Sequence, residues 1–106
     1  MSSLKVPVTE ADHRQGNIRA ACVLLEYGDY ECPHCRAAHP VVKKLERHLG
    51  QNLLFVFRNF PLTNIHPFAE AAAETAEFAA DRGKFWEMHD LIFKNQERLG
   101  CHFLRS

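Results

Sequence analysis

The sequence has no excess of charge of either sign, because 13 Lys and Arg residues balance 13 Asp and Glu residues and the formal net charge is zero. Proteins that bind nucleic acid or other polyanions usually carry a basic excess, so we expect no nucleic-acid partner. A hydrophobic fraction of 46% and a charged fraction of 25% are ordinary for a globular protein and argue against disorder. A chain of 106 residues is expected to form one small domain.

Long apolar runs are missing as well. Residues 1–20 mix charged and apolar side chains and contain no apolar core of the kind found in a signal peptide. No stretch approaches the roughly 18 apolar residues that a membrane span requires. We therefore expect no membrane span and predict a cytoplasmic location. In a reducing compartment, a static disulfide framework is not expected from the four cysteines, Cys22, Cys32, Cys35 and Cys101.

Two short apolar runs flank a helical pattern in the first half of the chain. Residues 23–27 form a β-prone run closed by Gly28, and residues 53–57 form a second run suited to a strand buried on both faces. Between them, apolar residues recur at steps of three and four over residues 33–49, which predicts a helix that ends at Gly50. Strand, helix and strand in this order predict a βαβ unit with parallel strands.

Two further helices are predicted after this unit. The alanine-rich stretch over residues 68–82 is expected to be helical, with Pro67 suited to its first turn and Gly83 to its end. A last helix is predicted from residue 84 to about residue 99. Its broad inward face would carry Phe85, Trp86, His89, Ile92 and Phe93.

The most informative feature is the sequence Cys32-Pro33-His34-Cys35 at the start of the first predicted helix. The free N–H groups and the positive dipole end of a helix stabilise a thiolate there. Cys32 is expected to be exposed and to react in thiol–disulfide exchange, whereas Cys35 faces the apolar stripe and resolves the mixed disulfide. Pro33 stiffens the first turn, and a charged His34 adds a cation beside the thiolate, which makes the disulfide a stronger oxidant.

Two more residues fit a redox site. Glu26 interrupts the first apolar run, six positions before Cys32. A buried carboxyl at this position would have a raised pKa and could exchange a proton with Cys35. Pro40 lies inside the predicted helix, where it is expected to kink the axis.

The cysteine pair also has other interpretations. A zinc site would need two more ligands, and Cys101 with His102 is the second pair that the sequence offers. A metal- or cluster-binding dimer with one cysteine pair per chain is a further alternative, as is an inert pair. Cys22, next to the first strand, is predicted to be a small core residue, and Cys101 an incidental exposed thiol.

Several motifs together resemble the DsbA-like branch of the thioredoxin-fold oxidoreductases. They are Glu-Tyr-Gly-Asp-Tyr-Glu-Cys-Pro-His-Cys at residues 26–35, Pro40, Phe-Pro-Leu at residues 60–62, His-Pro at residues 66–67 and Phe-Trp-Glu-Met-His at residues 85–89. The resemblance implies an α/β fold, in which a thioredoxin-like βαβ unit carries a helical insertion. It also implies a thiol–disulfide oxidoreductase that acts on protein or small thiols with no bound cofactor. The catalytic residues would be Cys32 as nucleophile, Cys35 as resolving thiol and Glu26 as buried acid, with Pro33 and His34 between the cysteines.

The sequence departs from this family after the helical insertion. There the family continues into a β-hairpin and a final helix, and a cis-proline before the hairpin packs against the cysteine pair. The last proline here is Pro67, and we expect a shortened gene product or a fragment. Residues 1–21 are interpreted as an irregular or partly extended N-terminal arm, with a short edge strand suggested at residues 5–8. Residues 22–99 are interpreted as a partial DsbA-like domain lacking the hairpin and final helix, and residues 100–106 as an irregular tail.

A missing hairpin has consequences for assembly and activity. It would leave a strand edge and a sheet face uncovered, which predicts a homodimer or a strand-exchanged oligomer. It also raises an alternative function, that of a catalytically impaired remnant or interaction domain.

Overall fold

The computed structural model describes residues 7–96. Over this range the chain forms strands and helices in the order β1, β2, α1, β3, α2, α3. Their bounds are β1 His13–Gly16, β2 Cys22–Gly28, α1 Pro33–Leu49, β3 Leu53–Asn59, α2 Ala69–Ala80 and α3 Phe85–Lys94, with a short 3₁₀ turn at Gly50–Asn52. The predicted strand–helix–strand unit and the two helices that follow it are confirmed.

The sheet brings the ends of two strands together. Its order is β1-β3-β2, so β3 is central. Strands β2 and β3 are parallel, with Val23 opposite Leu54 and Gly28 opposite Asn59. Because the two strands end in register, the loops that leave them start side by side at one edge of the sheet. The cysteine pair follows β2 at this edge.

The N-terminal arm contains a strand that the sequence pattern does not predict. Residues 13–16 form β1, which pairs antiparallel with β3. Its sequence, His-Arg-Gln-Gly, is polar throughout, so no apolar alternation marks it as a strand. Contacts with distant residues stabilise it: the Trp86 indole N–H donates to the Arg14 carbonyl oxygen at 3.1 Å. Pro7 and Val8 are not in a strand, and residues 5 and 6 lie outside the described range, as does the tail at residues 100–106.

The core forms between β3 and the helices. Residues 53–57 of β3 are all buried, as predicted for a strand covered on both faces. Small alanine side chains on α2, including Ala72 and Ala76, are fully buried and let the helix pack closely. The predicted inward face of α3 is confirmed, with Trp86 partly and the other four side chains fully buried. The helix itself ends at Lys94, and residues 97–99 of the predicted span lie outside the described range.

Two polar side chains in this core form a hydrogen bond with each other. The Tyr30 hydroxyl and His89 Nδ1 lie 2.9 Å apart and are buried. Burial lowers the pKa of His89 to about 3 and raises the pKa of Tyr30. Both groups are therefore neutral at pH 7, and the hydroxyl oxygen and the ring nitrogen share one hydrogen bond.

Over residues 7–96, the structure contains no helix with the length and apolar character needed to cross a membrane.

Gly28 is expected to tolerate no side chain, because a Cβ at this position would overlap the ring of Phe57. Gly28→Ala should lower the free energy of unfolding by about 1–3 kcal/mol, as overpacking of a core does. Chemical denaturation measures this change. In a Phe57→Leu background the smaller side chain leaves room, so the loss caused by Gly28→Ala should shrink. An equal loss in both backgrounds would contradict this explanation.

Candidate redox site

Cys32 occupies the N-cap position of α1, with an extended backbone, and Pro33 begins the helix. The Cys32 carbonyl oxygen accepts the first helical hydrogen bond, from the Arg36 N–H at 3.0 Å, and its own N–H donates to the Asp29 carbonyl oxygen at 3.1 Å. No side chain caps this helix end. The unpaired N–H groups and the positive end of the helix dipole therefore lie at the cysteine pair.

The two cysteines are free thiols, and both are half-buried. Cys32 is thus partly exposed, and the loop that carries it is hydrogen-bonded to neighbouring segments. Cys35 packs against the core, as its place on the apolar stripe predicts. Cys22 is exposed rather than part of the core, since it is the first residue of a strand at the edge of the sheet.

The Cys35 thiol is held in its protonated form. Burial is the largest cause that raises its pKa, and hydrogen bonding to Cys32 and the nearby charges of Cys32 and Glu26 raise it further, to about 11. A Cys35 thiolate is therefore costly at neutral pH, and it needs a proton source when it forms.

Glu26 lies beside this thiol. The side chain points from β2 into a half-buried position, and the Cys35 thiol hydrogen-bonds to its carboxylate. Burial raises the pKa of Glu26, and the hydrogen bond from Cys35 offsets part of that rise. The structure thus brings Glu26, Cys32 and Cys35 into one hydrogen-bonded group.

The other residues selected from the sequence lie around this group. Pro33 and His34 are exposed in the first turn of α1. Pro40 is inside α1 and does not end it.

A buried carboxylate fastens the loop that precedes Cys32. Asp29 is 3% exposed. Its Oδ1 accepts from the Glu31 N–H at 2.8 Å, and its Oδ2 accepts from the Leu62 N–H at 2.9 Å and lies 2.6 Å from His66 Nδ1. Glu31 in turn accepts from the Phe68 N–H at 2.6 Å. These bonds join the loop after β2 to the loop after β3.

A glutamine near α3 fastens the same loop from the other side. The Gln96 side-chain amide donates to the Tyr30 carbonyl oxygen at 2.9 Å and to the Cys32 carbonyl oxygen at 2.8 Å. The sequence analysis predicts a role for neither Asp29 nor Gln96. Asp29 had a detectable signal, an acid directly after a strand and a glycine, whereas a glutamine after a helix is unremarkable.

One group of side chains in the described part of the chain has the composition of a metal site. Donor atoms of His39, His89 and Asp90 all lie within 4.8 Å of one another, and neither cysteine belongs to the group. The Lys43 ammonium is 3.1 Å from Asp90 Oδ1, so a positive charge already lies beside the carboxylate that a cation would need. Cys101 and His102, the second pair of the zinc hypothesis, lie outside the described residues.

Replacing Glu26 should change how stability depends on pH. A raised pKa means that the folded protein keeps this proton to higher pH than the unfolded chain, so the stability contributed by Glu26 falls as pH rises through its folded pKa. Glu26→Gln removes that loss. The free energy of unfolding of Glu26→Gln, relative to the wild type, should therefore increase between pH 4 and pH 8 in denaturation experiments.

The matched control is Glu70→Gln, which removes an exposed carboxylate from α2. A relative stability of Glu26→Gln that stays constant with pH, or that falls, would show that the Glu26 carboxyl is not in the environment described here.

Comparison with known proteins identifies relatives over most of the chain. The family model Thioredoxin_4, described as thioredoxin, matches residues 8–101. Na(+)/H(+) antiporter NhaA 1 of Salinispora arenicola is 47% identical over 97 residues, which cover 91% of this chain and 15% of the antiporter. Na(+)/H(+) antiporter NhaA 1 of Mycolicibacterium vanbaalenii is 46% identical over 90 residues, which cover 85% of this chain and 15% of the antiporter. The chain thus spans about 15% of the length of these relatives.

Solved structures extend the comparison to the fold. A thioredoxin-like oxidoreductase from Silicibacter pomeroyi superposes with a TM-score of 0.70 at 28% identity, over 77% of this chain and 46% of that one. Pseudomonas aeruginosa DsbA2 gives a TM-score of 0.69 at 29% identity, over 82% of this chain and 50% of that one. Wolbachia pipientis alpha-DsbA1, at 20% identity, shares the fold with a TM-score of 0.75 over 93% and 50%. The chain belongs to the thioredoxin family, and its fold is the mixed α/β fold of the DsbA-like thiol–disulfide oxidoreductases.

Proposed function

We propose that the chain exchanges disulfides with thiols through Cys32 and Cys35. The observation that carries this proposal is the hydrogen-bonded group at the N-terminus of α1, in which Cys35 contacts both Cys32 and Glu26. The curated relatives are named for antiport, but this chain spans 15% of their length. We therefore propose redox exchange for the 97 residues that this chain shares with the antiporter, with no cofactor required.

The proposed reaction begins with the Cys32–Cys35 disulfide. A substrate thiolate attacks the Cys32 sulfur, a bond forms between these two sulfurs, and the Cys32–Cys35 bond breaks. Cys35 leaves with the electron pair. Because the pKa of Cys35 is high, its thiolate is unfavourable, and the Glu26 carboxyl donates a proton to it. A second substrate thiolate then attacks the substrate sulfur of the mixed disulfide and releases Cys32 as a thiolate. The substrate loses two electrons, and the cysteine pair gains them.

The residues between the cysteines support this exchange in the proposal. Pro33 fixes the first helical position. His34, when protonated, places a positive charge in the same turn as the Cys32 thiolate. Whether the cysteine pair oxidises or reduces its substrates depends on the redox potential of the compartment. The cytoplasmic location predicted from the sequence would favour the reduced form of Cys32 and Cys35.

The roles of the two cysteines can be tested by trapping. In a Cys22→Ser, Cys101→Ser background, Cys35→Ser removes the resolving thiol. When the Cys32 thiolate attacks a disulfide of intact insulin, one insulin sulfur leaves as a thiolate, and the Cys32–insulin mixed disulfide should accumulate on non-reducing gels. Cys32→Ser should trap at least tenfold less. With dithiothreitol as the reductant, the background protein with both active cysteines should catalyse insulin reduction without accumulating the adduct.

Equal trapping by Cys32→Ser and Cys35→Ser would contradict the assigned roles. A background protein with no turnover and no adduct would instead favour the interaction-domain alternative.

We also propose that two copies associate through the β2 edge. In the described part of the chain, β2 pairs with β3 alone. Its Val23 and Tyr27 side chains are 46% and 54% exposed. An edge strand with free N–H and C=O groups and apolar side chains readily pairs with another chain.

Light scattering of the purified chain should give twice the 12.2 kDa mass of one copy. Val23→Lys places a charge on the edge strand and should shift the population toward the monomer. Lys44→Gln, at an exposed position of α1, is the control that should leave the mass unchanged. A folded wild-type chain of 12.2 kDa would overturn the dimer.

A further inference from the structure

A groove whose lining has more cations than acids lies between α1 and α3. Its volume is about 540 Å³, and its charged lining consists of four cations, Arg36, Lys43, Arg47 and Lys94, and one acid, Asp90. This volume is within the range of roughly 300–1,000 Å³ that ligand pockets occupy. The groove is thus large enough to hold several side chains of a partner.

The single acid in the groove is already compensated. The Lys43 ammonium lies 3.1 Å from Asp90 Oδ1, and His39 Nε2 lies 3.4 Å from the same oxygen. Burial lowers the pKa of His39, so at pH 7 this ring is neutral. Over residues 7–96, neither Arg47 nor Lys94 takes part in an ion pair. The groove therefore presents uncompensated positive charge.

This charge decides what kind of ligand the groove accepts. A metal ion at His39, His89 and Asp90 would compete with the Lys43 ammonium for the Asp90 carboxylate and would be repelled by the cations of the lining. An anion would instead be attracted by the lining, because carboxylates pair well with guanidinium and ammonium groups. The groove favours a negatively charged ligand over a cation.

The position of the groove connects this ligand to the cysteine pair. Arg36 directly follows Cys35, and the groove residues of α1 at 36, 40, 43 and 47 are spaced by four, three and four positions. Residues with this spacing share one face of a helix, and Cys32 lies one turn before Arg36 on the same line. A chain bound at Cys32 can therefore continue along the groove.

We propose that this groove binds an acidic segment of a protein thiol substrate, adjacent in sequence to the cysteine that reacts with Cys32. The inference rests on the proposed redox function and specifies its substrate class. Glutamate and aspartate side chains of the segment pair with Arg47 and Lys94. Pro40 and Phe93, which also line the groove, contact the aliphatic parts of the segment.

Binding can be measured without any redox chemistry. A cysteine-free peptide with four glutamates and an uncharged fluorophore is titrated with the full chain, and anisotropy gives its affinity. The same peptide with four glutamines is the comparison. The glutamate peptide should bind at least tenfold more tightly at low salt, and the advantage should shrink as salt screens the charges.

Variants locate the binding site. Arg47→Gln combined with Lys94→Gln should weaken binding of the glutamate peptide at least fivefold. Lys44→Gln removes an exposed cation of α1 that does not line the groove, and it should leave the affinity unchanged. Equal affinities for the two peptides, or an equal loss in Lys44→Gln, would overturn the proposal.

A second pair of peptides tests the groove and the redox function independently of each other. With one cysteine added to each, the oxidised chain should form disulfides at least fivefold faster with the glutamate peptide, and the double variant should lose this preference. Equal rates for both peptides would overturn the groove and leave the redox function intact. Reaction with neither peptide, while the cysteine-free glutamate peptide still binds, would overturn the redox function and support the groove as a binding site alone.

Discussion

The buried carboxylate of Asp29 is the constraint on which the site depends. It joins the loop after β2 to the loop after β3, and it can do so because the parallel strands end in register at one edge of the sheet. Burying a charge is costly unless it is well paired, and here the N–H groups of Glu31 and Leu62 and the ring of His66 surround it. The position of Cys32 at the start of α1 follows from this attachment.

The chemistry then arises from an unequal environment for the two sulfurs. Cys32 lies where unpaired N–H groups and the helix dipole favour negative charge. Cys35 packs against the core, and burial raises its pKa to about 11. A disulfide between the two opens most readily when the buried sulfur receives a proton as it leaves. Glu26 is the group within hydrogen-bonding reach that can supply one.

The sequence predicts the parts of this arrangement that depend on local pattern. Strands β2 and β3 and helix α1 follow from apolar periodicity and from the glycines at positions 28 and 50, and the turn before α1 locates the cysteines. The sequence does not predict strand β1, because its strand conformation comes from pairing with β3. The sequence pattern does not reveal the roles of Asp29 and Gln96, because their partners lie 33 and 64 residues away along the chain. The sequence pattern places Cys22 in the core, because an edge strand and a central strand have the same local pattern.

The central claim is that Glu26 is a half-buried acid in contact with the Cys35 thiol. Titration of the Glu26 side-chain carboxyl by carbon-13 NMR in the reduced protein tests it most directly. We expect a pKa above the ordinary value of 4.5, because burial is the larger effect. Cys35→Ala should raise it further, since the hydrogen bond from that thiol lowers it. A pKa at or below 4.5, or one that Cys35→Ala leaves unchanged, would contradict the claim.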